Sequence, residues 1–211
     1  MVNVKSPRRA NATAELVIGD HGPEPPMTAG RIASPLGEIV AVVDRHGALV
    51  YLDFDDNSGP TQSPGAHAWQ GHPLSWDNGR VRPVGEQIAE YFAGRRRKFT
   101  FALAPIGNEF YREVWRQLVQ IPYGMTISYG ELARRVGRPG AARAVGRANG
   151  SNPIAVVVPC HRVIGADGKL TGYSGGIERK AALLALEQAV TPLGQGTLPL
   201  GIEKGRSRRV S

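Results

Sequence analysis

Apolar positions change their spacing along the chain, and the change marks the elements. From Ile32 to Phe54 they are dense and β-branched. Gly37–Val43 and Ala48–Phe54 flank the short polar segment Asp44-Arg45-His46-Gly47, which predicts a β-hairpin. Residues 55–85 are rich in Gly, Pro, Ser and Asn and read as a long loop. Val84–Ala93 then shows Ile88 and Phe92 four apart, a short helix, and the alternation of Phe99–Leu103 predicts one more strand. Beyond Gly107 the spacing becomes helical. Phe110, Val114 and Leu118 form a stripe flanked by Tyr111, Trp115 and Val119, with Asn108 placed to cap the helix. Ser128 followed by Glu131 three residues on is a capping box opening a helix that stops at Gly137. Pro139 precedes a second helix, Ala141–Asn149. Ile154–Val158 reads as a buried strand, residues 165–168 as a turn and residues 171–176 as a flexible loop. A last helix, Ile177–Gln188, has Ile177, Ala181 and Leu184 on one face, and Glu187 projects toward that apolar side.

This order predicts an α+β protein: a small N-terminal α/β domain and a mostly helical C-terminal domain with a winged helix-turn-helix. The expected boundaries are a flexible arm at 1–28, domains at 29–104 and 105–188, and a basic disordered tail at 189–211.

Charge sharpens the picture. The chain has 211 residues, 26 Lys and Arg against 18 Asp and Glu, and a formal charge of +8. A basic soluble enzyme and a nucleic-acid binder both fit that balance. Its placement favours DNA: Arg134, Arg135, Arg138, Arg143 and Arg147 lie in one short region opposed there by Glu131. Arg143 and Arg147 are four apart on a helix otherwise built of small residues, whose backbone can approach a duplex closely; packing against another helix is the alternative. Arg95–Lys98 fits a solvated basic turn, and Trp115, at helical spacing, fits packing. No apolar run is long enough for a membrane span, and no apolar segment follows the basic N-terminus as a secretion signal would require. His67 and His72 lack the further ligands a zinc site needs, so no metal is expected.

The one cysteine, Cys160, sits in Val157-Val158-Pro159-Cys160-His161-Arg162-Val163. A lone cysteine cannot form an internal disulfide, which fits a reducing cytoplasm. His161 supplies a base, through a water or a kink after Pro159, and Glu187 an orienting acid. A buried structural thiol is the alternative.

Pro159-Cys160-His161-Arg162-Val163 resembles the active-site signature of the O6-alkylguanine-DNA alkyltransferases, the methylated-DNA–protein-cysteine methyltransferases. The similarity extends in matching order through Ile121–Gly124, Ser128–Ala133, Ala141–Gly146, Asn152-Pro153 and Gly172–Gly176, covering roughly residues 107–187. The N-terminal half is only loosely similar, and Asn108 and Tyr111 stand where many members carry Thr and Gln.

The resemblance implies a single-turnover suicide reaction in which Cys160 takes the alkyl group from O6 of a damaged guanine, with no cofactor. It implies that His161 acts on the thiol through water, Glu187 completes the relay, Asn152 braces the segment and Tyr129 protonates the guanine ring. It further implies double-stranded DNA as partner, bound in the minor groove with the base flipped out: Arg143 as the intercalating finger, Tyr129, Ala144 and Arg147 on the DNA, and Val163, Tyr173 and Ser174 around the base. A monomer is expected, with side-by-side binding on DNA left open. A non-catalytic sensor of alkylated DNA and a thiol hydrolase are the competing readings; the presence of Cys160 argues against the first.

Overall fold

The computed structural model describes residues 18–19, 22–55 and 74–188. Most of the arm, the tail from 189 onward, and both His67 and His72 lie outside the described residues.

The predicted hairpin forms, as β2 (Ile39–Val43) and β3 (Leu49–Phe54). Asp44 makes the turn by accepting hydrogen bonds from the backbone N–H groups of His46 and Ala48, both at 2.9 Å, and Gly47 takes φ +84°. A strand ahead of them, β1 (Met27–Ile32), pairs antiparallel with β2. It begins two residues inside the stretch expected to be an arm, because Met27 and Thr28 are buried in the sheet. The sheet order is β3-β2-β1-β4, with the short edge strand β4 (Leu74–Trp76) parallel to β1.

Helix α1 is longer than its sequence pattern suggests, running from Asn78 to Phe92. The expected loop therefore ends earlier than residue 85. Asp77 caps the helix, its side chain accepting from Gly79 N at 2.8 Å, and Pro83 lies inside the helix in its second turn, where it cannot donate to the Gly79 carbonyl. Val81, Val84, Ile88 and Tyr91 form the buried stripe against the sheet. Each such side chain contributes ~1.5–3 kcal/mol on burial. Phe99–Leu103 does not form a strand; it supplies an isolated bridge from Leu103 to Leu49, the carbonyl of Ala102 accepting from Leu49 N at 2.8 Å.

The second half is helical, and α+β describes the whole. Helix α2 (Glu109–Val119) is capped by Asn108, whose Oδ1 accepts from Tyr111 N at 2.9 Å. Trp115 is buried and donates Nε1–H to the Ala148 carbonyl at 2.9 Å, which locks α2 onto α4. After β5 (Ile127–Ser128), helix α3 (Tyr129–Arg135) starts on Ser128, which accepts from Glu131 N at 3.1 Å. Glu131 itself pairs with Arg134 and Arg135 on its own helix. Gly137, at φ +71°, ends α3 in the left-handed region. Helix α4 (Ala142–Gly150) has no side-chain cap. It turns Val145, Ala148 and Asn149 inward and leaves Arg143 and Arg147 exposed.

The main core of buried residues runs from the sheet and α1 through α2–α4 to Cys160 and Leu183, beside a second cluster around Met27, Val40 and Tyr51. Two expectations fail in its last part. Helix α5 spans Ile177–Leu186, and its buried face is Lys180, Leu183 and Leu184, while Ile177 is 43% exposed. Ile154–Val158 is buried but is not a strand.

Candidate active site

The segment leading to the sulfur is a sequence of tight turns. Ile154 is bridged to Leu52 of β3, with Leu52 N donating to the Pro153 carbonyl at 2.9 Å and Ala155 N to the Leu52 carbonyl at 2.7 Å. Val156 sits at φ +67°, a strained value for a β-branched residue, inside a hydrogen bond from Val157 N to the Ala155 carbonyl at 2.7 Å. Pro159, at φ −82° and ψ 61°, is the centre of an inverse γ-turn closed by Cys160 N on the Val158 carbonyl at 2.8 Å. These turns use up the backbone bonds a ladder would need, so the apolar run is buried without pairing as a strand. Proline's fixed φ suits the turn that swings the next three residues, Cys160–Arg162, into one turn of 3-10 helix.

Asn152 holds this hook together. Its Nδ2 donates to the Val158 carbonyl at 2.8 Å and to Cys160 Sγ at 3.1 Å, and its Oδ1 accepts from Ile154 N at 3.0 Å. Cys160 is 2% exposed. Burial pushes its thiol up to about 11, with the Asn152 hydrogen bond opposing that rise.

The 3-10 turn points His161 at α5. His161 Nε2 is 3.1 Å from Glu187 Oε1, and both side chains are fully buried. Glu187 is saturated. Oε1 also accepts from Tyr91 at 2.7 Å and from Arg162 Nη2 at 2.8 Å, and Oε2 accepts from Arg162 Nε at 2.8 Å and Gly124 N at 3.2 Å. His161 and Arg162 hold the carboxyl well below its usual range despite its burial. An ionised carboxylate only accepts, so His161 carries its proton on Nε2. Its Nδ1 is buried with no hydrogen-bond partner among the described residues. Burial lowers the imidazole pKa, against the pull of Glu187, so the ring is neutral at physiological pH.

Around this centre, Lys180 is fully buried and donates Nζ–H to the carbonyls of Val163 at 2.6 Å and Thr171 at 2.7 Å. It thereby ties the 171–176 loop to β6 (Val163–Ile164), which pairs with β5. Tyr129 donates to the same Thr171 carbonyl at 3.2 Å and lies at 3.4 Å from that of Gly172. Tyr173 is half-buried with its hydroxyl unpartnered among the described residues, Ser174 is exposed, and Val163 is buried. Arg143 and Arg147 have no ion-pair partner among the described residues, and Ala144 lies between them, half-buried. A cavity of about 410 Å³ opens nearby, lined by Arg97, Phe99, Tyr123, Pro159 and Arg162 but not by Cys160.

Known proteins carry the same arrangement of sequence and fold. The sequence model described as "6-O-methylguanine DNA methyltransferase, DNA binding domain" matches residues 109–189. A methylated-DNA–protein-cysteine methyltransferase of Mycolicibacterium paratuberculosis is 50% identical over 161 residues, 76% of this chain and 92% of that one. The chain belongs to the methylated-DNA–protein-cysteine methyltransferase family. Its activity is DNA repair by alkyl transfer. The crystal structure of the Mycobacterium tuberculosis O6-methylguanine methyltransferase superimposes on this methyltransferase with a TM-score of 0.67 at 45% identity, covering 76% of this chain and 92% of that one. A second structure of the tuberculosis protein is a complex with DNA, with the same score and coverage.

Sequence reasoning grouped Cys160, His161, Asn152 and Glu187 of this methyltransferase, residues that the structure holds as two hydrogen-bonded pairs, Asn152 with the sulfur and His161 with Glu187, adjacent through the Cys160–His161 peptide link. It missed four partners. Arg162 reads as one more basic residue, yet its guanidinium forks onto Glu187 and donates to the Ile121 carbonyl at 2.5 Å. Lys180 stands on the apolar face of α5, and that periodicity could have flagged it as Glu187 was flagged. Asn149 donates from α4 to the Cys160 carbonyl at 3.5 Å. Tyr91 comes from a different part of the chain, and no local pattern points to it.

Proposed function

We propose that this methyltransferase acts once, Cys160 keeping the alkyl group it removes from O6 of guanine. The observation that carries the reading is the pair of buried contacts in which Asn152 bonds the sulfur and Glu187 fixes His161 Nε2, leaving Nδ1 without a partner among the described residues. That nitrogen accepts the thiol proton through a bridging water. The thiolate attacks the sp3 carbon of the alkyl group, a C–S bond forms as the C–O6 bond breaks, and the electron pair passes to the purine. Tyr129 donates a proton to the ring, so that guanine rather than its anion leaves. The thioether is stable, which ends the life of the protein as a reagent.

The substrate atom is stacked within duplex DNA, so the base is flipped out. Helices α3 and α4 act as the helix-turn-helix, with the loop after β6 as its wing. Helix α4 enters the minor groove, where its small residues permit close approach. Arg143 fills the gap left by the base; Ala144 and Arg147 lie along the backbone. Val163, Tyr173 and Ser174 surround the extrahelical guanine. Cys160 is 2% exposed, so the 171–176 loop yields as the base enters, and the Tyr129 hydroxyl exchanges the loop carbonyls for the purine. The unit that begins with β1 at Met27 and runs to residue 104 forms the bracing domain, and 105–188 the reacting one. The protein works as a cytoplasmic monomer; among the described residues no helix is long and apolar enough to cross a membrane.

The test is mass spectrometry after incubation with excess duplex carrying O6-methylguanine. One methyl group is expected on the Cys160 peptide, with one guanine restored per protein. An unmodified Cys160, or product exceeding protein, rules the reading out.

A further inference from the structure

We propose that Tyr91 of α1 is a positioning residue for alkyl transfer, so that the N-terminal half contributes a side chain to the relay. The proposal rests on the reading of Glu187 and His161 given above and deepens it. Tyr91 is fully buried and its hydroxyl donates to Glu187 Oε1 at 2.7 Å, across 96 residues of sequence. This is the same oxygen that lies 3.1 Å from His161 Nε2, a longer contact. Oε1 thus serves Tyr91, His161 and one Arg162 nitrogen, and Oε2 serves Arg162 and Gly124 N.

Arg162 and Gly124 already satisfy the charge of the carboxylate. What Tyr91 adds is direction and moderation. The Arg162 fork sets the plane of the carboxylate through both oxygens; the hydroxyl, arriving from α1, holds Oε1 from a third direction beside the imidazole. By taking part of the electron density of Oε1, it also weakens the pull of Glu187 on the His161 N–H, which keeps the imidazole a weak base and its Nδ1 free. The ring is held for this purpose by aromatic neighbours from three places: Phe92 at 5.4 Å, Phe99 at 5.6 Å and Tyr123 at 6.2 Å between centroids. Burial and Glu187 both raise the Tyr91 pKa, so the hydroxyl remains a donor at every working pH.

The experiment is the single-turnover rate of methyl transfer from duplex DNA as a function of pH, in the full chain. Four variants are compared with the wild type: Tyr91→Phe, Phe99→Leu, His161→Ala and Glu187→Gln. Tyr91→Phe keeps the ring and removes the donor. Its plateau rate is expected to fall about tenfold, the effect of one hydrogen bond to a charged group. Its acid limb is expected to move upward by ~0.5 pH unit, because Oε1 now pulls harder on the imidazole. Phe99→Leu disturbs the packing of the same ring and is expected to lower the thermal midpoint without moving the acid limb. A wild-type profile for Tyr91→Phe, a rate loss with the acid limb unmoved, or an equal shift in Phe99→Leu overturns the proposal. Full rates in His161→Ala and Glu187→Gln instead overturn the relay itself, so the two failures are distinct.

Discussion

Glu187→Gln tests the centre of the site most directly. The carboxylate neutralises Arg162, which is itself buried, and accepts five hydrogen bonds from Tyr91, His161, two Arg162 nitrogens and Gly124 N. The amide has nearly the same shape but no charge, and one of its ends donates. If Nε2 of the glutamine replaces Oε2, it faces Arg162 Nε and Gly124 N, donor against donor. If it replaces Oε1, it faces Tyr91, His161 and Arg162 Nη2. Either rotamer leaves the guanidinium buried without a counter-charge. Breaking a buried pair from one side costs ~3–5 kcal/mol. At ~2–4 °C per kcal/mol for a chain of this size, the thermal midpoint falls by roughly 6–20 °C.

The pH dependence gives a second handle on the same substitution. The folded pKa of Glu187 lies below its ordinary value of 4.5, so its contribution is fully present above that pH and is lost as the pH falls through the folded value. Urea denaturation of wild type and variant is therefore expected to differ most near neutrality and to converge in acid. A loss below about 1 kcal/mol at pH 7, or a gap that stays constant into acid, refutes the claim that this carboxylate is the charge partner of the site.

Two further outcomes follow from other parts of the molecule. Arg143→Ala is expected to lower repair of duplex DNA about tenfold or more while leaving reaction with free O6-benzylguanine near wild type, since in the proposed reading the exposed arginine assists base extrusion and not the transfer; equal losses on both substrates exclude the finger role. Burial lowers the Lys180 pKa from 10.5 to about 8, so stability rises with pH above about 8, while Cys160, raised from 9.0 to about 11, works in the opposite sense above about 9. Between about pH 7.5 and 8.5 the lysine dominates, and a gain of ~0.5 kcal/mol is expected in urea titrations; Lys180→Met abolishes it, and an undiminished rise in that variant excludes Lys180 as its source.

What could be read from the sequence was local. The hairpin, the caps at Asn108 and Ser128, and the stop at Gly137 each depend on residues within four positions of one another, and each formed. The start of α1 was hidden because Asp77-Asn78-Gly79 fits a turn as well as a helix cap, and the packing of Val81 against the sheet decides for the helix that Asp77 caps. Ile154–Val158 has strand composition but takes its backbone bonds from Leu52, Ala155 and Ile154 in turns, so composition could not reveal it. The site divides the same way. Cys160, His161 and the apolar-face Glu187 are visible because a charge on a buried stripe is an anomaly. Arg162 and Tyr91 are not, since their roles exist only after α1 and α5 meet over the 3-10 turn.

The burial of the sulfur raises a conflict that the rest of the site resolves. A thiol pushed up to about 11 is almost wholly protonated near neutrality and is a poor nucleophile, but it is also shielded from oxidants and chance electrophiles. A protein that spends its one cysteine in a single reaction gains from that protection until the right base arrives. Ionisation must then be local and brief. A permanently charged neighbour that dominated the site would ionise the thiol at all times; Arg162 is engaged by Glu187, and the pull of Lys180, which is tied to two backbone carbonyls, is outweighed by the burial of the sulfur. What remains is a neutral imidazole with one open nitrogen, held by a carboxylate whose own charge is already matched. On the proposed mechanism such a base takes a proton only when the product charge is immediately used, which would tie thiolate formation to the presence of the alkylated guanine.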